Sequence, residues 1–83
     1  MNLLEHIDRR DTAYRAYIDA DKAWSLELQR EYGNQAGDKR YTSEGVGTPE
    51  LRRLYAALQF RAEEYRAEQA NYMAAKREFE NVD

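Results

Sequence analysis

The stretch TPELRRLYAALQFRAEEYRAEQANYMAAKREF, Thr48–Phe79, decides the fold. Within it Leu51, Leu58, Tyr65, Tyr72 and Phe79 recur every seven residues without a miss. Seven residues are close to two turns of α-helix, so these side chains share one seam. Leu54, Tyr55, Ala62 and Ala75 fill flanking positions. The stretch also signals its own start. Thr48 is a good N-cap, Pro49 suits the first helical position, and Glu50 suits the positive end of the helix dipole. The pattern predicts one long helix over residues 49–80.

Upstream lies GNQAGDKRYTSEGVG, residues 33–47, which holds all four glycines of the chain. Such a composition predicts a loop, at the upper edge of ordinary connection length. Before it, Leu3, Leu4, Ile7, Tyr14, Tyr17, Ile18, Trp24, Leu28 and Tyr32 fall mostly on one helical stripe. Asn2 can cap that helix, with Glu5 three residues later as the return half of a capping box. Gly33 is a natural left-handed stop after Tyr32. The predicted first helix therefore covers residues 3–32. Its weak point is Asp8-Arg9-Arg10-Asp11-Thr12, where five polar residues interrupt the stripe and a kink or fresh start would fall.

Two helices of about 30 residues, each about 45 Å long, joined by a glycine-rich loop, make an all-α antiparallel hairpin. Residues 1–83 form a single domain on this reading. The size lies near the lower limit for a self-sufficient core.

A second row of residues asks for a partner. Ala56, Phe60, Ala67, Ala70 and Ala74 share a face of the second helix roughly opposite the seam. Ala13, Tyr17, Ala20 and Trp24 form a flank on the first helix. A hairpin buries only one face of each helix, so these rows are expected to stay exposed in a monomer. Alanine on a solvated face needs no partner, because it is the best helix former. That reading explains Phe60 and Trp24 less well, since large exposed aromatics beside small residues mark contact surfaces. The expectation is a homodimer packed as a four-helix bundle, with Phe60, Ala67, Ala70, Ala74, Tyr17 and Trp24 in protein contacts.

Catalytic chemistry is scarce. Nucleophilic catalysis needs a Ser, Cys or Thr beside a base. The chain has no Cys and one His, His6, near a helix end. Ser25 has no His in sequence reach, and neither Glu27/Glu31 nor Glu64/Glu68 is accompanied by the histidine of a carboxylate-bridged metal site. No enzyme, no cofactor and no metal is expected. The net charge of −3 gives no long-range attraction to nucleic acid. Lys39, Arg40, Tyr41, Arg52 and Arg53 could make a small basic-aromatic patch at the loop end, but Asp38, Glu44 and Glu50 are interleaved with them. No apolar run approaches the roughly 20 residues of a membrane span. The N-terminus lacks a basic start and an apolar stretch, so a cytoplasmic location is the expectation.

Residues 21–55 carry Ala23, Trp24, Leu28, Tyr32 and Gly33, then Ala36-Gly37-Asp38 and Arg40-Tyr41, before an Arg-rich helix start. This segment resembles small uncharacterised bacterial and phage-associated helical proteins. The resemblance implies a structural role for AGDKRY, with Arg40 and Tyr41 folded back over the helix ends and Asp38 bonding the turn. It implies no activity. Two functional expectations follow. The first is a non-enzymatic protein-binding module, such as a phage or mobile-element inhibitor of a host defence complex of the anti-CRISPR kind. The second is a structural or regulatory homodimer whose basic loop end contacts nucleic acid.

Overall fold

A computed structural model describes residues 2–81. Helix α1 runs Leu3–Tyr32, a short α2 runs Ala36–Lys39, and α3 runs Pro49–Glu80. Among the described residues there is no strand. The long helices pack antiparallel into a rod of 56 × 19 × 17 Å.

The local signals act as their chemistry requires. Asn2 accepts a hydrogen bond from the Glu5 amide at 2.9 Å and so satisfies a free N–H of the first turn. Gly33 ends α1 at φ 57°, a backbone angle that favours glycine. Thr48 Oγ1 accepts from the Leu51 amide at 3.1 Å, with Pro49 in the first turn of α3. The polar run Asp8–Thr12 does not break α1, which is continuous over 30 residues. Arg10 explains why: its guanidinium lies 4.2 Å from the centre of the Tyr72 ring, so the stripe continues as a cation–π contact.

The register follows from the ring contacts. Tyr14 meets Tyr65, Trp24 meets Tyr55, and Arg10 meets Tyr72, so residues at one level along the rod have numbers adding to about 80. The seam of α3 divides along that register. Leu51 and Leu58 are buried with Trp24 and Leu28, and Tyr65 and Tyr72 are half-buried. Phe79 is 66% exposed and does not join the seam as its spacing predicts. Its level lies before the start of α1, so no helix stands opposite it. Phe79→Ala should therefore change the unfolding free energy by less than about 0.5 kcal/mol. Leu58→Ala, in the same heptad series, should cost about 2–5 kcal/mol. Equal losses in parallel urea titrations would mean that Phe79 is packed after all.

A second correction concerns α1. Trp24 and Tyr17 are not on an exposed flank. Trp24 is only 4% exposed and belongs to the core, while Tyr17 and Ala20 pack against it. A helix pair alone would leave one side of so large a ring in water. The segment between α1 and α3 supplies the missing wall. It is not an open loop: two 3-10 turns, Gly33–Gln35 and Ser43–Val46, flank α2 within it.

Candidate functional site

Three surfaces have the chemistry to act: the end of the rod that carries the connection, the outer face of α3, and a groove between α1 and α3.

At the connection end the chain is tied down. Trp24 Nε1 donates to the Gly45 carbonyl at 3.0 Å, and Tyr32 donates from its hydroxyl to the Glu44 carbonyl at 2.7 Å. Gly45 is buried, and a Cβ there would sit 3.1 Å from the carbonyl oxygens of Lys39 and Arg40 and 3.3 Å from the indole. A side chain there would press the two carbonyls and the ring apart by a few tenths of an ångström. Arg40 lies over the same ring, 4.6 Å from its centre, donates to Ser25 Oγ at 2.7 Å and pairs with Asp21. One guanidinium thus closes the connection onto α1.

This geometry decides the fate of the basic patch. Lys39 pairs with Glu44 at 2.7 Å, and that hydrogen bond raises its pKa above the ordinary lysine value. Arg53 pairs with Glu50, and its hydrogen bond holds that carboxyl below the usual carboxylate range. Arg52 donates to the Val46 carbonyl at 3.4 Å. Lys39, Arg40 and Arg53 therefore already face carboxylates, and a phosphate would have to displace them. Tyr41 does not fold back as the AGDKRY reading expects; it is 85% exposed. Asp38 is exposed as well, whereas Arg40 does fold back.

Ser25 is committed to Arg40, and His6 has its Nδ1 shielded from water without a hydrogen-bond partner. Among the described residues, no three His, Cys, Asp or Glu side chains are grouped so that they could hold a metal ion.

The outer face of α3 carries Phe60, 59% exposed, with Ala67, Ala70 and Ala74 also exposed. Ala67 also borders the groove between α1 and α3, with Phe60 and Ala74 one heptad to either side of it on the same face of the helix. Tyr17 and Trp24 are not part of this surface.

The groove was not visible in either helix read alone. It has a volume of about 500 Å³, with Thr12, Ala13, Ala16 and Ala67 making the small-residue part of its lining. Arg9, Arg61, Glu64 and Glu68 supply charge along it. Glu68 has one carboxylate oxygen shielded from water without a hydrogen-bond partner. The signal that could have found it is the combination of Ala13 and Ala16 on α1 with Ala67 at the same level on α3, which requires the register. No protein-family model matches the chain, and neither a curated protein nor a solved structure matches it.

Proposed function

We propose that this chain is a non-enzymatic protein-binding module whose hairpins pair into a four-helix bundle. The observation that carries the reading is the distribution of buried side chains. Trp24, Leu28, Leu51 and Leu58 all lie in the half of the rod nearest the connection. The far half holds two long helices together by half-buried tyrosines, while Phe60 and the alanines of both helices stay uncovered. Helices of this length draw most of their stability from packing rather than propensity. A further helical layer over the uncovered faces supplies that packing.

Such a module acts by occupying a surface. A steric inhibitor of a defence complex, suggested by the resemblance of residues 21–55 to phage-associated proteins, is one form it takes. The second reading, a homodimer touching nucleic acid through its loop end, is disfavoured by the pairing of Lys39, Arg40 and Arg53 with carboxylates. Light scattering over a wide concentration range should give the mass of two chains, and a single-chain mass throughout would overturn the bundle. A DNA and RNA titration at about 50 mM salt should show no sub-micromolar, steeply salt-dependent binding. Such binding would replace the first reading by the second.

A further inference from the structure

We infer that the rod opens at one end as a fork: the arms formed by residues 3–16 of α1 and 65–80 of α3 part and close as one unit, while the connection half stays folded. The inference concerns how a single chain moves. It goes beyond the module reading and does not depend on it.

The placement of the polar ties is the first argument. Among the described residues, the hydrogen bonds and ion pairs that tie side chains of α1 to the rest of the chain lie at the connection end. They join Trp24 to Gly45, Tyr32 to Glu44, and Arg40 to Ser25 and Asp21. In the arms, Arg10, Arg66 and Lys76 pair with carboxylates of their own helix and so do not hold the helices together. The buried side chains divide in the same way, since Trp24, Leu28, Leu51 and Leu58 all lie toward the connection.

The arms meet through rings that water already reaches. Tyr14 and Tyr17 lie 5.2 and 6.2 Å from the Tyr65 ring, and the Arg10 guanidinium lies 4.2 Å from the centre of the Tyr72 ring. Tyr14 is 47% exposed, and Tyr17, Tyr65 and Tyr72 are half-buried.

Closed arms also carry an unmet cost. His6 Nδ1 and Glu68 Oε2 are shielded from water without a hydrogen-bond partner, and both belong to the arms. A shielded polar atom left unpaired is destabilising. Once parted, each arm is a helix of about 15 residues with no packed face, a length that is marginal in water. Such an arm melts, and melting returns both atoms to water. Parting and melting therefore form one cooperative step, which stops where Trp24 and Leu58 hold the helices. One end of the rod can thus change shape while the other keeps its fold.

Native-state hydrogen exchange of the full chain in dilute solution, read residue by residue by NMR, tests the fork. Amides of the two arms should share one level of protection, at least about tenfold below that of amides around Leu28 and Leu58. Tyr72→Ala removes a contact between the arms and leaves the core untouched. It should speed exchange about tenfold in the α1 arm as well as in its own helix, with amides around Leu28 unchanged. Wild-type arms protected to within about tenfold of the core would overturn the inference. So would a Tyr72→Ala effect confined to α3, because two helix ends that fray independently are not a fork. Light scattering on the same sample separates this inference from the bundle: a single-chain mass removes the bundle, and a fork seen at that mass stands without it.

Discussion

Leu51→Ala should lower the unfolding free energy by about 2–5 kcal/mol, the range for deleting a buried leucine side chain. Leu51 is 0% exposed and sits in the first turn of α3, clustered with Trp24, Leu28 and Leu58. Its own amide is held by Thr48 at 3.1 Å. The turn is therefore fixed by its cap and by Pro49, and it cannot slide inward to fill the space that the lost isopropyl group leaves. The cavity term adds to the lost transfer energy when surroundings relax so little. Domains of this size have only about 3–5 kcal/mol from a single core. A loss of that size removes most of the margin of a chain that rests on this core alone. Circular dichroism with a urea titration decides the matter. A midpoint within experimental error of the wild type would mean that Leu51 does not anchor the core.

Trp24→Ala should cost about 3–5 kcal/mol and should also release the connection. The ring joins three parts of the chain: it belongs to the core with Leu28 and Leu51, lies 4.9 Å from the Tyr55 ring, and has the Arg40 guanidinium 4.6 Å from its centre. Its N–H is the donor to the Gly45 carbonyl. Trp24→Phe separates these roles, because it keeps an aromatic ring but removes the donor. Leaving the buried Gly45 carbonyl unpaired should cost about 1–3 kcal/mol. Limited trypsin digestion gives a local readout, since Lys39 and Arg40 lie in the clamped segment. Trp24→Phe should be cut there faster than the wild type while global unfolding is still slight. Unchanged cleavage in Trp24→Phe would show that the hydrogen bond to Gly45 does not hold the connection.

The elements themselves were legible because their signals are local. Asn2, Gly33 and the Thr48-Pro49 pair each act within one turn of their own position, through a cap bond, a left-handed angle or a fixed φ. The heptad series placed Leu51 and Leu58 in the seam for the same reason, since both lie on one helix whose period is known. Tertiary structure alone decided the rest. Phe79 keeps the spacing of a core residue but has no helix opposite it, because the relative extent of α1 and α3 is not written in either helix. Trp24 moved from an expected flank into the core because the connection folded over it, through contacts that span 21 residues of sequence. The groove exists only where Ala13 and Ala16 meet the level of Ala67, a match set by the register of two helices. Periodicity reports how one helix divides its own surface, whereas burial depends on what arrives from elsewhere in the chain to cover it.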